Sequence, residues 1–157
     1  MTPPQLSFES PLHSAPVVAQ VHRSGFVESV HHGVIAATAD DGSLVLSVGP
    51  AGSPIFPRSS NKPVQTLAMV RNGLDLPDNL LSLASASHNG EVFHREGVLQ
   101  ILAAAGLDER ALQNTPDRPI HEPDRHQWIA EGKPPSSLAQ NCSGKHAAML
   151  ATCVVNG

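Results

Sequence analysis

Ser43-Leu44-Val45-Leu46-Ser47-Val48-Gly49-Pro50-Ala51-Gly52, followed by Ser59-Ser60-Asn61-Lys62-Pro63-Val64-Gln65-Thr66-Leu67-Ala68, holds the point at which one kind of secondary structure gives way to another. Ser43–Val48 is the β-branched and leucine-rich run of a strand, and Gly49-Pro50-Ala51-Gly52 ends it. Beyond Ser59, Val64, Leu67, Ala68 and Arg71 recur at helical spacing, and Asn72-Gly73 supplies the stop. Pro63 fits such a helix only near its N-terminus, where no N–H bond is lost. Ser59 to Lys62 is therefore placed in or just before the first turn.

Upstream, Val17–His22, Phe26–Val30 and Gly33–Thr38 read as three further strands. Arg23-Ser24-Gly25, His31-His32 and Asp40-Asp41-Gly42 are the turns between them, and such short links predict antiparallel pairing. Downstream, helices are predicted from Pro77 through Ala84, over Glu91–Ala105, from Asp108 to Leu112, around Trp128 up to Gly132, and over Gly144–Val155. Val98, Ile101, Leu102 and Ala105 share one face of the Glu91–Ala105 segment; Ala147, Leu150, Ala151 and Val154 share one face of the last. Cys153 is assigned to the core beside Leu150 and Val154. Strands followed by helices predict an α+β fold, an antiparallel sheet packed with helices. The chain reads as one domain over 1–157, with a flexible N-terminus over 1–15.

Composition excludes several functions. Lys+Arg 10 against Asp+Glu 14 gives a net charge of −4, with no basic stripe, so a nucleic-acid backbone binder is not expected. No apolar run approaches the roughly 18 residues of a membrane span. Met1-Thr2-Pro3-Pro4-Gln5 lacks the pattern of a secretory signal, and two cysteines make no disulfide framework. A cytoplasmic location is the expectation. With 4 Phe, 1 Trp and no Tyr, the core must be built from Leu, Val, Ile and Ala.

Three segments can carry chemistry. Ser59-Ser60-Asn61-Lys62 puts Ser59 and Lys62 three residues apart, on one face of a helical turn. If burial keeps the Lys neutral, it can take the Ser proton and create a nucleophile; the alternative is a helix cap followed by a solvated Lys. Ser87-His88-Asn89 offers a hydroxyl to relay a proton and an amide to hold a substrate, or else is an ordinary turn. Asn141-Cys142-Ser143-Gly144-Lys145-His146 sets Cys142 and His146 four apart, although two ligands are too few for zinc. A phosphate loop is excluded there, because Ala139 stands where its first Gly belongs and His146 where its Ser/Thr belongs.

Together these segments resemble the asparaginase II family, L-asparaginases built on a serine β-lactamase or glutaminase-like fold. The likeness rests on Pro57-Arg58-Ser59-Ser60-Asn61-Lys62-Pro63-Val64-Gln65, Ala84-Ser85-Ala86-Ser87-His88-Asn89-Gly90-Glu91 and Asn141-Cys142-Ser143-Gly144-Lys145-His146-Ala147-Ala148-Met149-Leu150. It runs from about Pro16 to Gly157. The resemblance implies hydrolysis of L-asparagine to L-aspartate and ammonia. It makes Ser59 the nucleophile, Lys62 its base and Ser87 a second essential hydroxyl. It places Asn89 and His146 at the substrate, and ties Cys142 and Lys145 to zinc, the one cofactor it suggests. Family members are about twice as long, and the further catalytic Lys and second metal-linked Cys of their second half have no counterpart here. The chain therefore reads as an N-terminal half, inactive alone, whose partners are L-asparagine and either further copies of itself or the C-terminal half. Two rivals are a penicillin-recognising acyl-serine enzyme, which shares Ser-x-x-Lys and Ser-x-Asn, and a non-enzymatic metal-binding or pairing module.

Overall fold

The structure is a computed structural model that describes residues 14–157. Of the expected flexible terminus, residues 1–13 lie outside the described residues. Ala15 is buried, and its carbonyl accepts a hydrogen bond from His32 Nδ1 at 2.7 Å. The chain divides into two compact units between Phe56 and Pro57. Strands in the first and helices in the second make the α+β class expected from the sequence.

In the first unit, β1 (Val17–Arg23) pairs antiparallel with β2 (Phe26–His32), and β3 (Ile35–Thr38) with β4 (Leu44–Val48). Ser24 (φ 49°) and Gly25 (φ 83°) form the two-residue turn of the first hairpin, whose primed geometry requires positive φ at both positions. The second hairpin turns at Asp40-Asp41-Gly42, where Ser43 N–H donates to the Asp41 carboxylate at 2.8 Å. The four strands make two two-stranded sheets rather than one. The predicted turn at His31-His32 is absent: both residues lie in β2, opposite Ala19 and Val17. Gly33 N–H then donates to Pro16 O, so the chain runs on past the start of β1 before β3 begins. Large apolar side chains of these strands stay exposed, Phe26 by 78% and Val45 by 70%.

The second unit holds the core. Its helices are α1 (Lys62–Arg71), α2 (Asp78–Ser85), α3 (Val92–Ala104), α4 (Glu122–Ala130) and α5 (Ser143–Asn156). A 3₁₀ turn over Arg58–Asn61 leads straight into α1, with Pro63 in its first turn as the sequence requires. The segment from Glu109 to Ala111 is also 3₁₀, capped by the Asp108 side chain. Val98, Ile101 and Leu102 of α3 are fully buried against Leu80 and Ala84 of α2 and Ala147, Ala148 and Ala151 of α5. None of the described helices is long and apolar enough to cross a membrane.

Two faces differ from the sequence reading. The buried side of α1 is Lys62, Thr66 and Met69, whereas Val64 and Leu67 are exposed. The buried side of α5 is Ser143, Gly144, Ala147, Ala148 and Ala151. Cys153 lies roughly 200° around the axis from Ala151, so it is exposed, and Val154 is exposed with it. The rest of the predicted face holds: Ala147 and Ala151 are buried and Leu150 packs on the edge of the core. In both helices the most apolar stripe is not the buried one, because the core selects small or shape-matched residues where helices approach closely.

Gly144 marks that close approach. A Cβ there would stand 2.8 Å from Leu83 O, a backbone atom of α2 that cannot yield cheaply. At Gly97 the corresponding clash, also 2.8 Å, is with the flexible end of the Leu83 side chain. Gly144→Ala is expected to lower unfolding stability by about 1–3 kcal/mol, read from the urea midpoint. Gly97→Ala is expected to stay within about 1 kcal/mol, since helix propensity offsets a soft contact.

Candidate active site

Three chain segments converge on the start of α1. The first is the 3₁₀ turn itself. Arg58 has φ 51°, a left-handed conformation that a non-glycine residue adopts only where its surroundings impose it. Ser60 Oγ donates to Pro57 O, and Ser59 stands exposed beside it. One turn on, Lys62 begins the helix and is only 3% exposed.

The second segment follows α2. Lys62 Nζ donates to Ala86 O and to Ser87 Oγ, each at 2.8 Å. Burial lowers the Lys62 pKa from its ordinary value, and Lys145 lowers it further against an opposing influence of Cys142. A neutral amine has two N–H bonds and one lone pair. In that form, the two N–H groups would serve Ala86 O and Ser87 Oγ and leave the lone pair to accept a proton. The third segment is the start of α5. Cys142 Sγ donates to Gln140 Oε1 at 2.7 Å, and Cys142 N–H donates to the same oxygen at 3.0 Å.

Ser59, Lys62, Cys142 and Lys145 line one cavity of about 360 Å³, together with Arg58, Gln65, Gln140 and Asn141. Its charged side chains are all cationic. Ser87 lines a different cavity of about 460 Å³ between α2 and α3, with Leu83, His88, Phe93 and His94. Lys62 thus connects the two serines: it shares a cavity with Ser59 and a hydrogen bond with Ser87. Asn89 is exposed, and its carbonyl accepts from Ile120 N at 2.7 Å and His121 N at 2.9 Å. His146 is half-buried on a smaller cavity with Gln113 and Met149; burial, Lys145 and Lys62 in that order lower its pKa.

An L-asparaginase II family model matches residues 19–157. The chain belongs to the L-asparaginase II family. No curated protein sequence matches it. The family is one of amidohydrolases with a small-molecule substrate, and all three segments at the start of α1 lie within the matched residues.

Zinc, implied by the resemblance for Cys142 and Lys145, can be tested against the donors present. Among the described residues no three His, Cys, Asp or Glu side chains converge as metal ligands, and the Cys142 thiol is spent on Gln140. These residues do not make a complete zinc site, and no chemical step is drawn through a metal.

Two buried residues beside the candidate site carry no signal in the sequence, His88 and Ser143. Gly90 N–H donates to His88 Nδ1 at 3.0 Å, which leaves the ring proton on Nε2. Nε2–H donates to Ser143 Oγ at 2.9 Å, and Ser143 Oγ donates to Leu138 O at 2.9 Å. His88 is 4% exposed, and burial, with the nearby His94, Lys62 and Arg95, lowers its pKa from 6.5 to about 4. The unfolded imidazole takes up a proton below its ordinary pKa while the folded one stays neutral. Stability contributed by His88 is therefore complete above about pH 7 and is lost as pH falls from 6.5 toward 4. Between pH 8 and pH 5 the loss is expected to be about 2 kcal/mol. Urea unfolding at the two pH values checks it: His88→Gln should flatten the dependence.

Proposed function

We propose that this chain carries the nucleophile and base of an L-asparagine-hydrolysing site. The observation that carries the reading is the buried Lys62 amine, hydrogen-bonded to Ala86 O and Ser87 Oγ while lining the same cavity as Ser59. Ser59 Oγ attacks the side-chain amide carbon of asparagine as its proton passes to neutral Lys62. Collapse of the tetrahedral intermediate breaks the C–N bond. The proton reaches the leaving nitrogen from Lys62, with Ser87 Oγ as relay, and ammonia departs. Water then attacks the aspartyl ester on Ser59, giving aspartate and restoring the hydroxyl. Arg58 and Lys145 supply cationic charge for the substrate carboxylate, which suits a cavity whose charged side chains are all cationic. Asn89 and His146 are proposed to reach the substrate from the flanks, His146 by virtue of its place beside Lys145.

The same reading assigns part of the site to residues outside 1–157, within a domain of serine β-lactamase type. Ser59 and Ser87 are both exposed, and the donors at Cys142 stop short of a metal set. Residues 1–157 alone should release little ammonia from asparagine, because amide hydrolysis needs all its groups held in register. The C-terminal half of an L-asparaginase II, added in trans, should raise the rate by on the order of 10²-fold or more. The exposed apolar strands suggest that this half, or a second copy of the chain, covers them. Full turnover by residues 1–157 as a monomer would contradict this.

A further inference from the structure

The 86–90 segment is held from two sides. Gly90, with φ 76°, is so close to its neighbours that a Cβ would stand 2.8 Å from Ala139 O and 2.9 Å from Pro119 Cα. Asn89 O accepts the N–H groups of Ile120 and His121. On the α5 side, His88 supplies two separate links. Its backbone N–H donates to Asn141 O at 3.0 Å, and its ring donates to Ser143 Oγ at 2.9 Å. Ser143 is the first residue of α5 and is fully buried. One residue before His88 stands Ser87, and one before Ser143 stands Cys142.

We propose that His88 is a positioning residue: with its proton on Nε2, it staples the Ala86-Ser87 segment to the start of α5 and so holds Ala86 O and Ser87 Oγ over the Lys62 amine. Nothing else in the segment can make this link from a side chain, because Ser87 and Asn89 are exposed and Gly90 has none. The ring is suited to it. A neutral imidazole both accepts from Gly90 and donates to Ser143, whereas an imidazolium would lose the acceptor and set a charge in the core. Ser143 passes the bond on to Leu138 O, so no polar atom of this chain of bonds is left unpaired. His88 does not touch the reacting atoms. It acts through Ser87 and Lys62, and this inference rests on the proposed roles of those two residues.

The test reads the cover over Lys62 directly and needs no turnover. Lys62, Lys133 and Lys145 are the chain's lysines. Lys62 is 3% exposed and the Lys133 side chain 51%, so acetylation by an N-hydroxysuccinimide ester, followed by peptide mass spectrometry, should modify Lys133 first. His88→Asn keeps an acceptor near the Nδ1 position but loses the donor to Ser143. In it, Lys62 acetylation relative to Lys133 should rise about tenfold, the change in open population that one lost buried hydrogen bond brings. His88→Gln places an amide donor near the Nε2 position and should hold Lys62 within about threefold of the unsubstituted chain. Slow amide exchange at Ile101 and Leu102 in the same samples separates local release from general loosening. Should His88→Asn fail to fold, Ser143→Ala removes the same bond from the other end and should expose Lys62 likewise. Unchanged protection of Lys62 in the variants lacking the bond, or equal exposure in His88→Gln and His88→Asn, would overturn the assignment. A staple that behaves as expected while Ser59→Ala keeps full asparaginase activity would instead sink the functional reading and leave the staple standing.

Discussion

Ser59→Ala should abolish ammonia release from asparagine, lowering kcat by on the order of 10⁴-fold or more in the assembled enzyme. Removing the Oγ removes the atom that forms the acyl bond, and neither Ser60 nor Ser87 can replace it from where it stands. Ser60 Oγ is turned back on Pro57 O, and Ser87 lines the cavity between α2 and α3. The substitution should leave the fold alone. Ser59 is exposed within a 3₁₀ turn whose ends lack side-chain caps, so unfolding stability should change by no more than about 0.5 kcal/mol. A variant that melts like the unsubstituted protein yet hydrolyses asparagine normally would remove Ser59 from the mechanism.

Lys62→Arg should be nearly as damaging as Lys62→Ala, with kcat reduced by about 10²–10⁴-fold in each. A guanidinium keeps its proton at any working pH and cannot act as the base, however well it fills the space. Its extra bulk must also fit a position that is 3% exposed and already bonded to Ala86 O and Ser87 Oγ. Burial, the largest influence on Lys62, lowers its pKa, so the active neutral form gains as pH rises toward that lowered value. The kcat/KM of the unsubstituted enzyme should therefore climb with pH along an acid limb that reports Lys62. Full activity in the Arg variant, or a flat profile across that limb, would refute the base assignment.

The sequence makes the location of the candidate site legible and leaves its internal wiring hidden. Pro63 fixed Ser59–Lys62 at the head of α1, because proline tolerates only the first turn. The short strand runs and turns before Gly49 and the 3.6 period after Ser59 predict the α+β order, including the face of α3 that carries Val98, Ile101 and Leu102. Burial was harder to read wherever the buried stripe is not the most apolar one. Lys62, Thr66 and Met69 point inward on α1 while Val64 and Leu67 face out, and Cys153 is exposed where a core thiol was expected. The His31-His32 turn failed for a related reason. Two polar residues in a row look like a break, yet β2 is exposed along its whole length and has no need to alternate. His88 escaped notice because its partners are long-range: Ser143 lies 55 residues away, and no local spacing rule connects them.

The most direct test of the central claim is to trap the acyl-enzyme. Rapid acid quench of the assembled enzyme with asparagine, followed by peptide mass spectrometry, should find the aspartyl ester on the peptide that contains Ser59. It should disappear in Ser59→Ala and fall sharply in Ser87→Ala, where ammonia cannot leave without the relay and the ester does not form. An aspartyl group on Ser87 or Cys142, or steady ammonia release from an enzyme that never carries one on Ser59, would contradict the account.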